Sequence, residues 1–192
     1  MRYALTHMTK EIVMLWLAVM AIAGLICFFL CRRGRLKGLL GVEITLLAGY
    51  LFFLLVVTLF DREPVGYRQY KGELFWSYRA ALAGNRMLRA EVLWNVLLFV
   101  PIGYLFSDLL PRRKKWLACL IGAILTFAVE ETQLLTHLGM FDYDDMISNA
   151  AGTAIGYCGY HLLRLVPWRG MRICLFVLLC GLAAFMINGI NA

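Results

Sequence analysis

The chain reads as all-α, a polytopic integral membrane helix bundle of about six transmembrane helices plus an interfacial segment. Three observations carry this. Hydrophobic residues make up 62% of the 192 positions and charged residues 16%, against roughly 45–50% and about 25% in soluble domains. The mean hydropathy is +0.75. The apolar residues gather in long runs separated by short polar connections, and a spanning helix needs about 20 of them in a row.

Six stretches meet that length: 12–30, 39–60, 92–110, 116–135, 146–166 and 173–190. The first is long for the apolar core of a signal peptide, lacks a small-x-small cleavage site and is followed by basic residues, so it reads as a retained anchor. Short basic connections orient such helices. Arg32, Arg33, Arg35 and Lys37 follow the first span. Arg112, Arg113, Lys114 and Lys115 follow the third. Arg164, Arg169 and Arg172 surround the exit of the fifth. These clusters fall on alternate connections, which predicts that all three are cytoplasmic and that both termini are outside. The connection 61–91 resists the scheme, with Arg62, Arg68, Lys71, Arg79, Arg86 and Arg89 on the outer side, partly offset by Asp61, Glu63, Glu73 and Glu91. Its centre, 74–78, is rich in amphipathic aromatics and predicts an interfacial or re-entrant helix.

The net charge of +7 therefore belongs to membrane orientation, and no nucleic-acid motif accompanies it. The six cysteines lie in or beside apolar segments without a Cys-x-x-Cys pair, so they read as small buried hydrophobes, with no metal site and no cofactor expected. The acidic stretch around Asp142, Asp144 and Asp145 lacks calcium-loop spacing and reads as a solvated loop. No nucleophile elbow or phosphate-binding loop occurs. Glu43 lies near the start of the second span and is expected to snorkel toward the cytoplasm.

Depth and helical spacing single out a polar cluster. Glu130 lies 15 residues past Lys115, roughly 22 Å along a helix. That places it in the outer third of a core about 30 Å thick. Thr126, Glu130, Gln133 and His137 share one face of the fourth span. Glu91 and Asn95 share one face of the third, and Asp145, Asn149, Gly152 and Gly156 one face of the fifth. Intramembrane carboxylates face the bundle interior or water, so Glu130 is expected to be protonated or paired with Arg86, Arg89 or His137. Asn95, Glu130, Gln133, Asp145 and Asn149 are the predicted binding residues of one pocket open to the outside. Glu130 and Asp145 are the residues to act as acid and base if the protein catalyses anything. Gly152-Thr-Ala-Ile-Gly156 is a close-approach motif, predicting tight packing within the chain or, alternatively, a homodimer seam.

Three blocks resemble the VanZ-like family, named for a teicoplanin-resistance protein: Asn95-Val-Leu-Leu-Phe99-Val-Pro101-Ile-Gly103, Glu130-Glu-Thr-Gln133, and Asp145-Met-Ile-Ser-Asn149-Ala-Ala-Gly152. Their order and spacing together carry the resemblance. It covers roughly 45–160 and divides the chain into an anchor with a basic loop (1–44), a VanZ-like membrane domain (45–160) and a C-terminal helix (161–192). Where the family often has an Arg after the second block, this chain has Leu138-Gly139-Met140. The resemblance implies a multi-pass protein of a bacterial cell membrane with an envelope role. It also implies lowered sensitivity to teicoplanin-type glycopeptides. The expected partners are the lipid bilayer and a lipid-linked cell-wall precursor or lipoglycopeptide. The alternative function is an intramembrane enzyme acting on a lipid-linked envelope precursor.

Overall fold

The computed structural model describes residues 10–60 and 69–190, in two compact units, 1–64 and 65–192. The expectations for Asp61, Arg62, Glu63 and Arg68 lie outside the described residues.

The first unit is a helical hairpin. α1 is Lys10–Arg32 and α2 is Gly38–Leu55, which tightens into a π turn at Val56–Phe60. α1 stops at Gly34, whose φ of 66° is the left-handed conformation that costs glycine nothing. The Arg35 amide then reaches back to the Leu30 carbonyl and the Gly34 amide to that of Cys31, the paired bonds of a Schellman end. Small residues bring the helices together: Gly41 sits against Cys27 and Cys31, and Gly49 against Met20. The indole Nε1 of Trp16 donates to the Gly49 carbonyl at 3.0 Å. Glu43 does not snorkel outward. It is fully buried.

In the second unit the expected interfacial helix proves to be two short elements. β1 (Gln69–Lys71) is followed by α3 (Trp76–Leu82), only seven residues long. α3 ends in another Schellman turn at Gly84, and Asn85 then caps α4 by accepting the Leu88 amide. α4 is Arg86–Leu109, running through Pro101; a 3-10 turn at Arg112–Lys114 leads to α5, Leu117–Thr136. α5 ends on His137 at φ 59°. β2 (Met140–Asp142) pairs parallel with β1, Tyr70 opposite Phe141, and runs directly into α6, Tyr143–Leu163. α7 is Arg169–Ile190.

α4 and α6 form the centre of this unit, backbone to backbone. A Cβ at Gly152 would collide with the Val96 carbonyl, one at Gly156 with that of Val100, and one at Gly103 with that of Thr153. Gly122 of α5 meets the Thr153 side chain. The Gly-x-x-x-Gly motif is thus occupied within the chain, and the homodimer seam that it offered has no free face there. α7 packs through Phe176, which stacks on Tyr104 at 3.9 Å.

Among the described residues, five helices are long and apolar enough to cross a membrane: Glu11–Arg32, Gly38–Leu59, Arg86–Leu109, Leu117–Thr136 and Arg169–Gly189. The remaining predicted span falls on α6. It has 21 residues, about 31 Å of helix, but is less apolar because its buried face carries Asp144, Ser148, Asn149 and Thr153. Outward faces are apolar: Ile22, Phe28, Leu178 and Phe185 are all more than half exposed. That is the distribution of a helix bundle whose solvent is lipid.

Candidate functional site: a polar cluster at one end of the second unit

The cluster begins with a helix that cannot cap itself. Phe75 stands at the N-cap of α3 with φ 62° and offers no side-chain acceptor. Asp144, 69 residues away, supplies one. Its Oδ1 accepts the Phe75 amide at 2.6 Å, and its Oδ2 accepts the Ser77 amide at 2.9 Å and the Ser77 hydroxyl at 2.7 Å. A carboxylate at a helix N-terminus also meets the positive end of the helix dipole. Asp144 is fully buried, so these bonds replace its hydration shell.

Asp142 does a related job twice. Its Oδ1 accepts the Asp144 amide and caps α6, while its Oδ2 accepts the Trp76 indole at 2.9 Å. The Tyr78 hydroxyl donates to the Asp144 carbonyl at 3.3 Å and shares a 2.6 Å bond with the Ser148 hydroxyl. Burial first, and then the negative charges of Asp144, Asp145 and Asp142, push the Tyr78 phenol above its ordinary pKa, against the opposing effect of the Ser148 bond. It remains a neutral donor at physiological pH. Asp142 and Asp144 are therefore buried latches between β1–α3 and α6, not the solvated loop expected from sequence.

The predicted site residues sort onto two contacts and a buried face. Asn95 of α4 donates to Asp145 Oδ1 at 2.6 Å, and both residues are half-buried. Asn149 donates to the Thr126 hydroxyl at 2.8 Å, joining α6 to α5, and its Oδ1 is buried without a hydrogen-bond partner. Thr126, Glu130 and Gln133 line one buried face of α5, each no more than 2% exposed. Glu130 Oε2 accepts the Asp142 amide at 3.0 Å, so α5 fixes the start of α6 through a backbone bond. The arginines considered as its partners lie elsewhere: Arg89 donates to the Ala81 carbonyl, and Arg86 is exposed. Leu74 and Phe75 before α3, Leu82 at its end and Met87 in the first turn of α4 are apolar and exposed, from 51% to 85%.

Sequence reasoning missed Asp142, Asp144, Trp76, Ser77, Tyr78 and Ser148. One signal was available. Asp142 stands directly before a helical run with acids in its first turn, the pattern of an N-cap. The partners across 66 to 70 residues leave no local trace.

These features define a multi-pass helical membrane protein with a polar cluster tied across α3, α4, α5 and α6. The chain belongs to the VanZ/LLP1 family, whose model matches residues 15–164. The matched range takes in most of α1, which the resemblance had left aside. No curated protein and no solved structure matches the chain.

Proposed function

We propose that this VanZ/LLP1 protein is a cell-membrane protein of the bacterial envelope that binds an amphiphilic envelope molecule at the outer leaflet. That molecule is a lipid-linked cell-wall precursor or a teicoplanin-type lipoglycopeptide, and binding it lowers sensitivity to such glycopeptides. The observation that carries the reading is the half-buried Asn95–Asp145 pair at the start of α6, the same helix start to which Asp144 ties α3, together with the exposed apolar Leu74, Phe75, Leu82 and Met87 of α3 and the start of α4. A carboxylate and an amide suit a hydroxyl- and amide-rich headgroup, and the exposed apolar side chains suit the chain attached to it. Glu130 and Asn149 tie α5 to α6 through the Asp142 amide and Thr126, with Gln133 on the same buried face of α5, and so hold the helix that carries Asp145.

Placement at the outer leaflet rests on the basic connections being cytoplasmic. Met140, partly exposed beside the cluster, tests it. A Cys in place of Met140 should react with an impermeant maleimide on intact cells. Reaction only after lysis would reverse the orientation and remove the proposal.

The binding role is tested by Asp145→Asn, which keeps size and one oxygen to accept from Asn95 but loses the charge and the second acceptor. In a deletion strain complemented with this variant, membrane abundance should be normal and teicoplanin susceptibility should equal that of the deletion strain. Wild-type susceptibility at normal abundance would refute a binding role for Asp145. Lipid-linked precursor pools measured in the same strains separate binding from catalysis: changed pools favour the intramembrane enzyme with Glu130 and Asp145 as acid and base.

A further inference from the structure

The opposite end of the second unit carries a charge imbalance that helix packing does not use up. Seven cations meet there: Arg112, Arg113, Lys114 and Lys115 between α4 and α5, Arg164 after α6, and Arg169 and Arg172 at the start of α7. From residue 96 to residue 129 and from 146 to 192 the only acid is Asp108. Seven cations and one anion leave a charge of +6 on this end.

Two of the seven have structural work. Lys115 is buried, lies 4.3 Å from the centre of the Tyr160 ring and donates to the carbonyls of Ser107 and Leu110, closing the end of α4. Arg169 pairs with Asp108 at 3.2 Å. Arg112, Arg113, Lys114 and Arg164 are exposed, and the Arg172 Nε is shielded from solvent without a hydrogen-bond partner. Beside them the first turn of α7 is open, since a Cβ at Gly170 would meet nothing within 4 Å. The positive end of its dipole adds further attraction for an anion. Trp116 and Trp168, 59% and 74% exposed, mark this as headgroup depth, where indoles settle.

We propose that this end is a binding site for anionic phospholipid headgroups. The guanidinium groups of Arg112, Arg113, Arg164 and Arg172 and the first turn of α7 take the phosphate, and Trp116 and Trp168 lie along the acyl chains. Orientation alone requires an excess of positive charge. It does not require arginines on both the α4–α5 and α6–α7 connections, with one Nε shielded and unbonded, beside an open helix start. Planar guanidinium is the side chain suited to bidentate phosphate contacts. The site is independent of the polar cluster at the other end.

The test uses the full-length chain in a neutral detergent. It is titrated with phosphatidylglycerol, phosphatidylcholine or inorganic phosphate, and bound lipid is counted by native mass spectrometry. Phosphatidylglycerol should be retained over phosphatidylcholine by about tenfold or more, because basic residues at a membrane surface attract anionic headgroups. R112Q/R113Q/R164Q should abolish the preference with the thermal midpoint in detergent unchanged, because these three side chains are exposed. On the unmodified chain, about 1 M salt, with a Debye length of about 3 Å, should weaken the preference. Equal retention of the two lipids would overturn the proposal. So would a preference that survives both the substitutions and the salt. Displacement of phosphatidylglycerol by millimolar phosphate would assign the site to a soluble anion and overturn it equally.

Discussion

Asp144→Asn should unfold one end of the bundle although it changes a single oxygen to nitrogen. The carboxylate accepts from the Phe75 amide, the Ser77 amide and the Ser77 hydroxyl. An amide offers one acceptor oxygen and puts an NH2 donor in place of the other. With the amide oxygen turned to the two Ser77 donors, the Phe75 amide faces the NH2 group, and a buried donor left unpaired costs about 1–3 kcal/mol, so a loss of that size is expected. Phe75 in the left-handed region adds strain that only a fixed cap offsets. The variant should show a lowered thermal midpoint in detergent and faster proteolysis within 69–85, while α1 and α2 keep their protection. Ser77→Ala, which removes one donor with its bond, should cost only about 1 kcal/mol. An Asp144→Asn protein as stable as wild type would mean that Asp144 does not hold α3 to α6.

Gly152→Leu should abolish folded protein through a different route. The Gly152 position faces the Val96 carbonyl across the α4–α6 contact, and backbone cannot move aside as a side chain can. Overpacking in a dense interior ordinarily costs about 1–3 kcal/mol, and here the helices must separate along the seam shared by Gly103 and Gly156 as well. Fluorescence-detected gel filtration of a tagged variant should show aggregate in place of the monodisperse peak. Gly159→Leu is the matched control: it lies on the same helix, with nothing within 4 Å of an added Cβ. Equal loss in both would point to insertion rather than packing.

The two variants also divide what the sequence discloses from what it conceals. Helix number and position were legible because lipid exposure demands continuous apolar runs, and every predicted span overlaps an observed helix. The faces were legible too. Thr126, Glu130 and Gln133 do share one buried side of α5, and Asp145 and Asn149 do stand one turn apart on α6. Helical spacing fixes those relations without knowledge of any neighbour. What joins the faces was not legible. Asp142 and Asp144 have the composition of an acidic loop, and only the folding of β1 and α3 over the start of α6 converts them into caps. Glu43 misled for the same reason: its distance from the helix end predicts access to water, while tertiary packing decides burial.

The low apolarity of α6 bears on how the molecule is assembled in the bilayer. A segment carrying Asp144, Asp145, Ser148, Asn149 and Thr153 partitions poorly by itself, since each polar group must leave water before it has a partner. Its partners precede it in the chain: Asn95 on α4 and Thr126 on α5. During synthesis α4 and α5 can therefore be in place before α6 emerges, and the glycine seam lets it dock against α4 at backbone distance. The order of the helices along the chain is then also the order in which the hydrocarbon interior becomes hospitable. α6 enters a site already lined with hydrogen-bonding partners rather than open lipid.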